Sequence, residues 1–239
     1  MIKLFLVEYN RPDVWERCAS SWKKLAAKPE EVKVYYVDNG SPDPEIESKL
    51  KALKLFGHID EYHISKDNLG PAKARNHFWI PELKNSNDTD LFGKIDGNHE
   101  ALKDWDINVT DYFKGNPGVG ALCFKYELSS ENIDLNNCIH RPYPLIFAKA
   151  RFVKKIGGFR CYCKETGTPW GCDDIDFARI SLFTKYRSED ISVAIKYERP
   201  KELCAINKKD DTITTKRILA LGNNFNRYRD GKDIYIGGE

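Results

Sequence analysis

Two short apolar runs constrain the fold more than anything else in the chain. Residues 2–7 (IKLFLV) and 32–37 (VKVYYV) are rich in β-formers and stop abruptly at the polar turns EYNRP and DNGSPDP. Runs of this length, bounded by turn residues, read as strands buried on both faces. Between them Val14, Cys18, Trp22 and Leu25 recur at helical spacing, with Asp13 near that helix's N-terminus. Ile46, Leu50 and Leu53 mark a second helix, opened by Pro44 and Glu45 in its first turn. A weaker strand near 59–64, a helix following NLGPAKARN and a strand over 91–95 continue the alternation. Strand–helix–strand order predicts a mostly parallel, Rossmann-like α/β sheet with helices on both faces. Ligands of such sheets bind beyond the carboxyl ends of the strands, so residues 9–11, 38–41 and 96–99 are expected along one rim.

The second half is less regular. Strands are expected at 119–125 and 144–148, and a helix at 149–156 that ends at Gly157 and Gly158. Ile175, Ala178, Leu182 and Tyr186 mark another helix, 191–197 alternates like a strand, and 212–228 fits a final helix. With no linker and no repeat, residues 1–239 read as one domain. Residues 127–143 and 159–172 are its longest loops, and long loops in compact domains are often functional.

Composition narrows the function classes. Apolar residues at 41% and charged ones at 31% describe an ordinary globular protein. The net charge of +2, from 38 basic and 36 acidic side chains, supplies no global field for nucleic acid, so any anion site must be local. No run approaches eighteen apolar residues, which argues against a transmembrane helix, and MIKLFLVEYNRP is too short an apolar run for a signal peptide. Seven cysteines at irregular spacing favour free thiols in a reducing, cytoplasmic setting. CYC (161–163) with Cys172 lacks a fourth partner for a soft-metal site, and the sequons at Asn39, Asn87 and Asn108 are chance matches in that setting.

Four stretches carry candidate chemistry. Asp38 ends the second strand and enters DNGSPD; it either closes a turn or accepts a hydrogen bond from a base or sugar at the rim. NLGPAKARN places a tight turn at Gly70, then Lys73 and Arg75 in the first turns of a helix, facing either solvent or phosphates. In GKIDGNHE, Asp96 ends an apolar strand, with Asn98 where a second carboxylate would complete a metal-binding pair. PWGCDDIDFAR gathers Asp173, Asp174 and Asp176 at a helix start beside Trp170. Such acids suit a helix dipole, but adjacent carboxylates also raise one pKa, and one could take a proton from a sugar hydroxyl while Trp170 stacks on an apolar sugar face.

VEYNRPD, VDNGSPD, NLGPAKARN, KIDGN, IGGF and WGCDDIDFAR, in this order, resemble the family 2 glycosyltransferases of GT-A fold over residues 2 to about 186. NRYRDGKDIYIGGE is faintly similar to that family's C-terminal segment. The resemblance implies a GT-A sheet with a small additional antiparallel part. It implies a nucleotide-sugar half at 1–100 and an acceptor half at 101–239. Tyr9, Arg11, Asp38, Asn68, Gly70 and Arg75 would line the nucleotide pocket, with Asp38 addressing the base. Asp96 would meet the ribose and the metal-bound diphosphate, and Gly157 and Gly158 would shape the loop before the acceptor. Asp174 would be the general base, Asp173 would bind or orient the acceptor, and Trp170 would contact it. The implied reaction is inverting transfer from a nucleotide-diphosphate sugar, a UDP-sugar being favoured, to a hydroxyl of a glycan or other acceptor.

A divalent cation, Mn²⁺ or Mg²⁺, is implied at Asp96 and Asn98. Asn98 offers a neutral carbonyl in place of an anionic oxygen, so the ion is expected to bind weakly. No histidine follows His140, so a late histidine ligand is absent, and His99 reads more readily as a surface residue than as a ligand. Peripheral contact with a membrane-borne acceptor is compatible with these features; a nucleic-acid partner is not expected. Two other readings stand beside transfer. One is a nucleotide-sugar-binding protein with weak or absent catalysis. The other is a sugar nucleotidyltransferase, against which VEYNRPDVW counts because it lacks a glycine-rich loop.

Overall fold

β1 (Ile2–Glu8) lies between two parallel neighbours, which is why its apolar residues run unbroken rather than alternating. The computed structural model describes residues 1–10, 15–97, 99–124, 145–156, 159, 187–190 and 195–197. On one side of β1 lies β2 (Val32–Asp38), followed by the edge strand β3 (Glu61–Ile64). On the other side lies β4 (Leu91–Asp96). The sheet continues through β7 (Leu145–Lys149), β6 (Val119–Phe124) and β8 (Arg187–Asp190), giving the order β3-β2-β1-β4-β7-β6-β8. Among the described strands of this sheet only β7 runs against the rest, pairing antiparallel with β4 and β6. A separate two-stranded antiparallel sheet joins β5 (His99–Ala101) to β9 (Ile195–Tyr197). The expected mostly parallel sheet with a small antiparallel part is therefore present.

Strand alternation sends Leu4, Leu6, Val34, Tyr36 and Ile95 to one face. There they meet α1 (Trp15–Lys24), α2 (Ile46–Leu55) and α4 (Trp105–Gly115). Phe5, Tyr35, Phe92 and Ile146 point to the other face, against α3 (Pro71–Lys84) and α5 (Ala150–Ile156). Cys18 and Trp22 are buried on α1, and Ile46, Leu50 and Leu53 on α2, as their spacing predicts. Trp22 and Trp105 meet edge to face at 5.0 Å. Their indole N–H groups are satisfied by the carbonyls of His99 (3.1 Å) and Trp22 (2.8 Å), so this aromatic cluster also fixes the chain just beyond β4. None of the described helices is long and apolar enough to cross a membrane.

The structure adds β5, α4 and β8 to the elements expected, and the described part of the stretch at 191–197, Ile195–Tyr197, is strand. His99 is buried on β5, correcting the expectation of a surface histidine. The expected helices at 175–186 and 212–228 lie outside the described residues. So do Arg11, Asn98, Gly157, Gly158, Trp170, Asp173 and Asp174.

Candidate functional site

The carboxyl ends of β1, β2 and β4 bring three acids to one rim. Glu8 is in register with Asp38, and Val7 with Asp96. Of the rim expected from 9–11, 38–41 and 96–99, residues 9–10, 38–41 and 96–97 follow these aligned strand ends, and Arg11 and Asn98 lie outside the described residues. Side-chain alternation divides the acids: Glu8 and Asp38 border a small cleft beside Tyr36, Asn10, Ser41 and Asp43, whereas Asp96 turns toward α3.

Asp38 does two things at once. Its Oδ2 accepts the amides of Gly40 at 3.2 Å and Ser41 at 3.0 Å, closing the Asn-Gly turn. Its Oδ1, buried, has no partner among the described residues; the buried Tyr36 hydroxyl in the same cleft has none either. Burial, then the negative charges of Glu8 and Asp38, pushes the Tyr36 hydroxyl well above its usual range, so it stays protonated and can donate. Tyr9, on the strand's exit, is 41% exposed on the rim, and its N–H donates to Glu8 Oε1 at 2.8 Å.

The loops after β2 and β3 are locked together. Asn39 Nδ2 donates to Asn68 Oδ1 (2.8 Å), Asn39 Oδ1 accepts from Leu69 N–H (2.9 Å), and Asn68 Oδ1 also accepts from Gly70 N–H (3.1 Å). Gly40 adopts φ +83, and a Cβ there would come 2.6 Å from the Asp67 carbonyl carbon, so both conformation and space require glycine. Gly70 takes φ +80 and delivers Pro71 to the first turn of α3, aiming that helix's N-terminus at the rim. Asn68 and Gly70 thus brace the loop beside Asn39 and are not among the residues lining the cleft of Glu8 and Asp38.

Arg75, one turn into α3, is fully buried and donates to Asp96 Oδ1 at 3.2 Å. Lys94, two residues before Asp96 on the same face of β4, places Nζ 3.4 Å from the same oxygen. The Asp96 side chain itself is 36% exposed. Partial burial raises its pKa, but the charges of Lys94, Arg75 and His99 more than reverse this and hold the carboxyl below its usual range. The guanidinium also packs 5.3 Å from the centre of the Phe159 ring. Phe159 is clamped by Asn76, whose Nδ2 donates to its carbonyl (2.6 Å) and whose Oδ1 accepts its N–H (3.0 Å). The end of IGGF is therefore fixed over Arg75.

Of the two residues implied for a divalent cation, Asn98 lies outside the described residues, and Asp96 offers the ion a carboxylate already facing positive groups. Asp96 Oδ1 is engaged by two cations, and His99 Nδ1 lies 3.0 Å from the Asp96 carbonyl. The described residues contain no group of three or more His, Cys, Asp or Glu side chains able to hold a metal. Glu8, Lys94 and Asn39 were not anticipated as site residues. Glu8 carried the same signal as Asp38 and Asp96, an acid closing an apolar strand.

Solved structures share this architecture over nearly the whole chain. The mannosyltransferase PcManGT from Pyrobaculum calidifontis, in complex with GDP-Man and Mn²⁺, superposes with a TM-score of 0.65 at 14% identity, over 98% of this chain and 69% of that one. S. aureus TarS 1-349 in complex with UDP gives 0.62 at 14% identity, over 97% and 70%. GalNAc-T7 with UDP, GalNAc and Mn²⁺ gives 0.60 at 12% identity, over 84% and 44%. The fold is GT-A. At these identities the GT-A likeness speaks for architecture alone. No protein-family model and no curated protein matches the sequence, so the likeness to family 2 rests on the motifs quoted above.

Proposed function

We propose that the chain transfers a sugar from a nucleoside-diphosphate donor to a hydroxyl acceptor, with inversion at the anomeric carbon. The observation that carries this reading is the Asp38 Oδ1, without a partner among the described residues and placed in register with Glu8 on a GT-A rim whose third acid, Asp96, is fixed by Arg75. A buried carboxylate oxygen without a donor is costly unless a ligand supplies one, and a nucleobase N–H does so. The exposed Tyr9 ring offers a stacking face for that base. GT-A relatives solved with UDP, UDP-GlcNAc and GDP-Man support a nucleotide-sugar donor, and we retain a UDP-sugar as the favoured one.

In this reading residues 1–100 hold the donor and 101–239 the acceptor, a glycan or other hydroxyl compound. The acceptor oxygen attacks the anomeric carbon, Asp174 takes its proton, Asp173 and Trp170 orient the acceptor, and the nucleoside diphosphate departs from the opposite face. Arg11 joins Tyr9 at the base. A divalent cation, where bound, neutralises charge on the leaving group. The odd cysteine count supports a reducing, cytoplasmic setting.

A thermal-shift screen of UDP-, GDP- and other nucleotide sugars tests the reading. A donor at about 100 times its dissociation constant stabilises the fold by ~2.7 kcal/mol. A shift for at least one intact donor and its nucleoside diphosphate is expected; no shift with any of them overturns the reading.

A further inference from the structure

We propose that Lys94 and Arg75 supply the positive charge for the donor's diphosphate at the Asp96 corner, so that donor binding does not require a divalent cation. This rests on the nucleotide-sugar reading above and assigns Lys94 a role in it.

Both cations converge on one oxygen. Arg75 Nη2 lies 3.2 Å and Lys94 Nζ 3.4 Å from Asp96 Oδ1. A dication on that carboxylate would share the oxygen with two fixed positive groups and be repelled by both. The same two groups provide at this corner what a metal provides to a leaving diphosphate, positive potential in a site sheltered from water.

Neither cation is incidental. The Lys94 side chain is 1% exposed and that of Arg75 0%, and burial of such groups is costly without a charged partner. Strand geometry explains why lysine serves here: residue 94 is two positions before Asp96, so its side chain follows the same face of β4 toward the rim. Arg75 is held from three directions, by the helix that carries it, by Asp96 and by the Phe159 ring at 5.3 Å. That helix has fourteen residues, and its N-terminus opens on the same rim, adding its own preference for anions.

Calorimetric titration of the full chain with UDP and with GDP, in excess EDTA and in excess Mn²⁺, tests the proposal. The native chain is expected to bind one of them with dissociation constants agreeing within about threefold in the two buffers. Lys94→Met is expected to weaken binding about tenfold or more in EDTA, with Mn²⁺ recovering most of the loss, because removal of the ammonium leaves Arg75 as the one cation on Asp96 Oδ1 among the described residues and lessens the repulsion of a dication there. Lys94→Arg, which keeps the charge, should bind like the native chain in EDTA. A purely structural lesion would weaken Lys94→Met equally in both buffers, and that outcome overturns the proposal. Native binding seen only with Mn²⁺ overturns it too, while leaving the nucleotide-sugar reading intact. Absence of binding in both buffers overturns that reading and this proposal with it.

Discussion

Gly97 lies against Glu8 so closely that a Cβ at residue 97 would collide with the Glu8 carboxylate and come within 2.8 Å of the Glu8 Cβ. The glycine just after Asp96 therefore sets the position of the acid that ends the neighbouring strand. Gly97→Ala is expected to cost about 1–3 kcal/mol, as overpacking does, and to weaken nucleotide binding by displacing Glu8 from the cleft. Urea unfolding and calorimetry check this. Native stability together with native affinity would mean that the Glu8–Gly97 contact does not shape the site.

Asn39 is the cross-brace between the loops that follow β2 and β3. Asn39→Ala removes the acceptor of the Leu69 N–H and the donor to Asn68 Oδ1. Leaving such groups unsatisfied costs about 1–3 kcal/mol. A drop in stability of that size with weaker nucleotide binding is expected, whereas Asn39→Asp, which keeps the acceptor, should retain part of both. Equal loss in the two variants would contradict the assignment of the Leu69 bond.

The imidazoles of His63 on β3 and His77 on α3 stack with centroids 3.8 Å apart and planes 13° from parallel. Burial first, and the nearby His63 second, lowers the pKa of His77. The unfolded chain then takes up a proton at His77 from about pH 6.5 downward, where the folded chain resists it. Stability is expected to be constant above that range and to fall as pH drops through it. His77→Phe removes this dependence while keeping a ring in the stack. The test is urea unfolding at a series of pH values between 5 and 8; a His77→Phe profile that keeps the native slope would contradict it.

Asp174→Asn is expected to abolish transfer while leaving donor affinity nearly unchanged, since removal of a general base affects the chemical step and not the ground-state complex. Single-turnover transfer assays alongside nucleotide titration separate the two. Native turnover in this variant would remove Asp174 from the role of base.

The alternation of buried strands and amphipathic helices was legible because each signal is local. IKLFLV and VKVYYV could hardly be other than interior strands, and Cys18–Trp22 and Leu50–Leu53 marked the buried helix faces. Trp105, Val109 and Phe113 carry an equally plain helical period for α4. β5 could not be read in this way: three residues, HEA, become strand by pairing with β9, nearly a hundred residues later, and by the anchors from Trp22 and Ser21. His99 is buried for the same reason. At the site, the strand-end logic that picked out Asp38 and Asp96 applied to Glu8 as well. Lys94 and Asn39 were hidden, because their roles depend on which helix or loop packs over them and not on sequence spacing.

Release of free nucleoside diphosphate from a panel of UDP- and GDP-sugars, by the native chain and by Asp38→Ala and Asp96→Ala, tests the central claim most directly. The native chain is expected to liberate the diphosphate from at least one donor, slowly with water and faster with an acceptor. Each variant is expected to do so about 100-fold less well in kcat/KM, a loss of ~2.7 kcal/mol of transition-state stabilisation. Turnover of no donor, or native turnover in both variants, would contradict a glycosyl-transfer site on this rim.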